Sequence, residues 1–102
     1  MQNTVATAQR YEQFAAYYGD DPFISKTILK MVSTRLSGLQ KELKRVQAGL
    51  ARFEQVYGKT SADFMQEFQS GAAGDALDFI EWVAMIQMSD RLLAERTALQ
   101  GN

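Results

Sequence analysis

Between Leu36 and Tyr57, apolar residues recur at alternating intervals of three and four: Leu36, Leu39, Leu43, Val46, Leu50, Phe53 and Tyr57. Val32 extends the row backwards. A seven-residue repeat held this long keeps one seam of a helix facing one companion helix, as in a coiled coil. The companion is either a helix of the same chain or one of a second copy. No proline interrupts the row; the only one is Pro22, preceded by Asp21. Asp suits a helix N-cap, and Pro suits the first helical position, where its missing N–H costs nothing. Gly58 follows Tyr57 as a stop. The spacing therefore predicts one helix over Pro22–Tyr57. Gly38 and Gly49 lie beside its seam, where they admit a bulky ring from the facing helix or supply local flexibility.

Three shorter helices complete the reading. Thr4–Tyr18 carries an aromatic stripe of Tyr11, Phe14 and Tyr18, with Tyr17 beside it, and Gly19 suits a left-handed cap at its end. Thr60 and Asp63 resemble a capping box opening a short helix to Gln69, with Phe64 and Phe68 on one face. After SGAAG, Asp75 is expected to cap a last helix running to Leu99. Val, Ile and Thr do not alternate as they would in strands. The fold class is thus all-α: a helical hairpin or bundle with one long heptad helix, a short connecting helix, a C-terminal helix and an N-terminal aromatic helix packed across them. A length of 102 residues predicts a single helical domain over 1–102.

Chemistry-bearing residues are sparse. The chain has neither cysteine nor histidine. It therefore lacks disulfides, thiolate ligands, the commonest metal ligand and the commonest general base near neutral pH. Asp75, Asp78 and Glu81 open the last helix, where the dipole favours anions. A metal reading needs further carboxylates from Glu42, Glu54, Asp63 or Glu67, and the simpler reading is capping and solvation. No enzyme, cofactor or metal site is expected.

The last helix is apolar on two sides. Phe79, Trp82, Val83, Ile86 and Leu93 form one stripe; Met85, Met88 and Leu92 form another. A helix apolar on two sides buries both. One side packs on the long seam, and the other takes the N-terminal helix or a second molecule. Phe79, Trp82, Met85, Met88 and Leu92 are the expected partner-binding residues, since methionines adapt to varied surfaces. Leftover apolar surface predicts a homodimer, with Leu36, Leu39, Leu43, Val46, Leu50 and Phe53 as a candidate dimer seam.

Charge is segregated although the net value is −1. Residues 26–59 hold eight basic residues against two acidic, and residues 60–102 hold two against seven. Opposite signs favour antiparallel pairing of the long and last helices. Lys41, Lys44, Arg45 and Arg52 fall on the outer face of the long helix. A solvated face is the first reading for them, an acidic partner the second and nucleic acid the third. No membrane span is expected, and the N-terminus shows no secretory pattern, so a cytoplasmic location is expected.

The stretch FEQVYGKTSADFMQEFQSGAAGDALDFIEW, Phe53 to Trp82, resembles a pattern in short helical bacterial and archaeal proteins of uncharacterised function. Some of these resemble the antitoxin member of a toxin–antitoxin pair. The resemblance spans 30 of the 102 residues and implies a hairpin that wraps or blocks a partner protein encoded nearby. This chain departs from the usual antitoxin layout in having no recognisable DNA-binding module. The expected function is a non-enzymatic protein–protein interaction module of an antitoxin-like kind; the alternative is a nucleic-acid-associated helical dimer using the outer Lys/Arg stripe.

Overall fold

A computed structural model describes residues 3–101, with side chains described from Ala6 onward. It holds four helices among these residues and no strand: α1 (Asn3–Tyr18), α2 (Pro22–Tyr57), α3 (Ser61–Gln69) and α4 (Leu77–Gln100). The all-α expectation is met. The chain divides into two compact units, Met1–Arg35 and Leu36–Asn102, within the length from which one domain is expected.

In the first unit, Asp21 begins α2 as its sequence suggests. Its carboxylate accepts the N–H groups of Phe23 at 2.8 Å and Ile24 at 3.1 Å, satisfying two donors that a helix start leaves orphaned. Gly19 does not take the expected left-handed conformation. Its N–H donates to the Ala15 carbonyl at 2.8 Å, and a Cβ there would lie 2.6 Å from that oxygen. The residue is needed for closeness, not for handedness.

In the second unit the heptad seam packs within the chain. Leu39, Leu43 and Val46 of α2 are buried together with Leu92 of α4, and Leu36, Leu50, Met85, Met88, Leu93 and Leu99 pack against them. At Gly49, which is buried, the Met85 thioether occupies the space a Cβ would need. The guest at this glycine is a methionine, not the aromatic ring the sequence suggested.

Beyond this layer lies an aromatic cluster centred on Trp82, which is 0% exposed. Its indole stacks on Phe64 with centroids 3.9 Å apart and planes 2° from parallel. Phe53 and Tyr57 stack on it at 5.5 and 5.7 Å. Its N–H donates to Ser61 Oγ at 2.9 Å, so the buried donor keeps a partner. One side chain thereby ties together α2, α3 and α4.

The tight α2–α3 turn follows from its residues. Gly58 has φ of 67°, which residues with a Cβ seldom adopt. Thr60 Oγ1 accepts the Asp63 N–H at 3.1 Å, and Glu54 Oε2 accepts the Ser61 N–H at 2.7 Å. A residue of the preceding helix thus helps cap the next. Lys59 pairs with Glu67 at 2.7 Å, a part-exposed contact of the kind that contributes about 0–1 kcal/mol.

The start of α4 departs from expectation. The cap is Ala76, with no side-chain hydrogen bond, and the helix begins at Leu77. Asp75 does not cap it. Gly74 turns left-handed with φ of 85°, and Ala76 is extended with ψ of 147°, so the chain enters the helix two residues late. Asp78 then sits in the first turn, where the dipole favours it, and accepts the Tyr57 hydroxyl at 2.5 Å.

Candidate interaction surfaces

The residues expected to meet a partner on α4 lie in or against the interior of the second unit. Trp82 and Leu92 are buried, and Met85 and Met88 are half-buried against the leucine cluster. Phe79 is half-buried, its ring 5.2 Å from Tyr57 and 5.5 Å from Phe64. The two-stripe reading of α4 is corrected accordingly. Met85 and Met88 pack on the same cluster as Leu93, and Ser89 is buried beside them. Trp82, Met85, Ser89 and Leu92 follow spacings of three, four and three. They form a heptad line of α4 whose polar member, Ser89, disguises it in the sequence. Large apolar side chains exposed on α4 are Leu77 and Ile80.

The stretch Phe53–Trp82 has a structural meaning. Its six aromatic residues, Phe53, Tyr57, Phe64, Phe68, Phe79 and Trp82, join in one chain of ring contacts. What the motif encodes here is the aromatic centre of the second unit.

The basic residues Lys41, Lys44, Arg45 and Arg52 are all exposed. Arg52 borders a groove of about 260 Å³ together with Phe53, Val56, Tyr57, Asp78 and Glu81. Carboxylates therefore share the Arg52 end of the stripe, which opposes a nucleic-acid backbone there. No group of three or more carboxylates converges to hold a metal ion among the described residues. No helix among them is long and apolar enough to cross a membrane.

In that groove the Tyr57 phenol is raised above its ordinary value near 10, first by the hydrogen bond it donates to Asp78, then by burial, then by the carboxylate's charge. A raised folded-state value means the proton is held more tightly when folded. The contribution to stability is present below about pH 10 and is lost as pH rises through the folded value. Urea midpoints measured from about pH 8 to about pH 11 should therefore fall more steeply for the natural chain than for Tyr57→Phe. Equal slopes would show that the hydrogen bond does not couple to folding.

Of the large exposed apolar side chains, Val56, Leu77 and Ile80 lie in the second unit and the others in the first. No described side chain there is buried, and only Ile24, Ser25 and Val32 are half-buried. Tyr17 is 85% exposed, Phe23 74% and Leu29 67%, and Tyr11, Phe14, Tyr18, Ile28 and Met31 are exposed as well. Phe14 and Tyr18 touch each other, with ring centroids 4.9 Å apart. They line a groove of about 350 Å³ with Ile24, Ile28 and Leu29. The aromatic half of this surface was legible in the sequence as a stripe. The aliphatic half was missed, although the signal is present: from Pro22 to Val32, PFISKTILKMV is apolar on more than one side.

Compared with known proteins, the chain matches no family model, no curated protein and no solved structure.

Proposed function

We propose that the chain is a non-enzymatic protein–protein interaction module acting in the cytoplasm as a homodimer, and that it is antitoxin-like, holding a partner protein encoded nearby. The observation that carries the reading is the exposed apolar surface of residues 11–31, where eight large hydrophobic side chains face solvent. Clustered exposed apolar side chains mark a contact site, and Phe14, Tyr18, Ile28 and Leu29 of this set line one groove. The set's make-up of tyrosine, phenylalanine and methionine is the make-up of protein interface cores. The antitoxin-like form draws its support from the resemblance over Phe53–Trp82.

The test is complex formation by the full chain, with itself or with the product of the adjacent gene. Co-purification at fixed stoichiometry is expected, and a Tyr17→Glu/Leu29→Glu variant should lose it. Trp82 fluorescence, which reports on the second unit alone, should be unchanged in that variant. A natural chain that stays monomeric and captures no neighbour-encoded protein would sink the reading.

Exposure of Lys41, Lys44, Arg45 and Arg52 along α2 favours a second reading, nucleic-acid association by a helical dimer. It requires DNA or RNA binding that weakens with salt and disappears when these four charges are reversed.

A further inference from the structure

We infer that the outer face of α2 in the second unit is a dock for an acidic helical segment of the partner protein, seated on Lys41, Lys44, Arg45 and Arg52. The inference rests on the interaction reading above and deepens it by naming what the partner presents there. Three observations support it.

The first is charge left unmatched. Leucines and methionines fill the contact between α2 and α4. The four basic residues instead stand exposed, and none of them forms an ion pair among the described residues. Lys41 and Arg45 are four residues apart on one helix, and Lys41 and Lys44 three, so like charges are neighbours on its surface. Such neighbours destabilise a helix unless an anion faces them. At 1.5 Å per residue the four lie within roughly 17 Å along the axis. The face carries a concentrated positive charge whose carboxylate counterpart this chain does not supply.

The second is shape. Lys41, Lys44, Ala48 and Ala51 follow spacings of three, four and three, the rhythm of the inner seam repeated on the outer side. Ala48 and Ala51 are exposed. Helix axes approach to roughly 8–10 Å according to the size of the side chains between them. Two alanines in the row leave room for a second helix, with Arg45 and Arg52 beside it about two turns apart.

The third is a change of sign at one end. Beyond Arg52 the face meets the groove lined by Val56, Tyr57, Asp78 and Glu81, where Val56 is 69% exposed. A nucleic-acid strand is anionic along its whole length and would set phosphates against those two carboxylates. A protein helix changes character within a turn. It can place glutamate or aspartate over Lys41, Arg45 and Arg52, then an apolar side chain on Val56 and a basic one toward Asp78 and Glu81. The face therefore suits an acidic helix better than nucleic acid.

Fluorescence anisotropy of labelled synthetic peptides, titrated with the full chain, tests this. The probes are two alanine-based helical peptides of identical composition. One carries three glutamates, a leucine and an arginine in that order along one face; the other spreads the same residues around the helix. The one-faced peptide should bind at least roughly tenfold more tightly, and its binding should weaken as salt rises. Lys41→Glu/Arg45→Glu/Arg52→Glu should abolish that binding and create binding to the peptide whose glutamates are replaced by lysine. Trp82 fluorescence and circular dichroism should be those of the natural chain, so that lost binding is not lost folding. The inference is overturned if the two peptides bind alike, if neither binds, or if the charge reversal leaves binding intact. It is overturned as well if short duplex DNA binds the chain more tightly than the one-faced peptide at the same salt, because the face then serves nucleic acid. None of these failures touches the interaction reading, which is tested separately by capture through Tyr17 and Leu29.

Discussion

Trp82→Ala should destabilise the Leu36–Asn102 unit by about 3–5 kcal/mol, the cost of removing a large buried ring from a core that cannot fully collapse. Here the loss sits at a three-way junction. Phe64 loses a parallel neighbour at 3.9 Å, Phe53 and Tyr57 lose theirs, and Ser61 Oγ loses the donor that bound it. Helix α3 has nine residues, too few to persist without packing. Its detachment should accompany the loss of the indole. Urea unfolding followed by far-ultraviolet circular dichroism measures the effect, since the substitution deletes the only tryptophan. A change below about 1 kcal/mol would show that the aromatic cluster does not hold the three helices together.

Leu39→Ala should cost about 2–5 kcal/mol, whereas Leu29→Ala should stay within about 0.5 kcal/mol when measured on dissociated chains. Both leucines fall on the heptad row, ten residues apart. Leu39 is 0% exposed and belongs to the buried cluster with Leu43, Val46 and Leu92; Leu29 is open to solvent. Under conditions where a dimer forms, Leu29→Ala should lower the association constant while leaving the single-chain unfolding midpoint unchanged. Similar costs at both sites on dissociated chains would mean that Leu29 is covered within the chain, contrary to its exposure. The pair of variants thus separates what stabilises one chain from what joins two.

The helices were legible where local chemistry is decisive. The span Pro22–Tyr57 follows from Asp21 and Pro22 at one end and Gly58 at the other. Its seam follows from a spacing that no other structure satisfies over so many residues. Thr60 was legible as a cap because its hydroxyl acts on a backbone group three residues away. Asp75 misled for the opposite reason: a good capping residue starts a helix only if the preceding chain delivers it in the right orientation, and Gly74 does not. The inward face of α4 was hidden by Ser89, a polar residue in a buried row. The placement of Met85, Met88 and Leu92 depends on which helix faces them, and spacing within α4 alone does not specify that. The exposure of Phe23, Ile28 and Met31 is hidden for the same reason, since apolar composition marks a surface for burial without naming what covers it.

The bare backbone at Gly49 has a consequence for alignment. A seam of repeating leucines is nearly indifferent to slippage by one repeat, because each side chain finds a similar neighbour seven residues along. Met85 breaks that indifference. Slid one repeat along α2, its thioether would face Glu42 or Val56, each carrying a side chain where Gly49 carries none. The missing methyl group is a notch that only one setting of the two helices can use, and it ensures that the indole of Trp82 arrives opposite Phe53 and Tyr57 rather than a turn or two away.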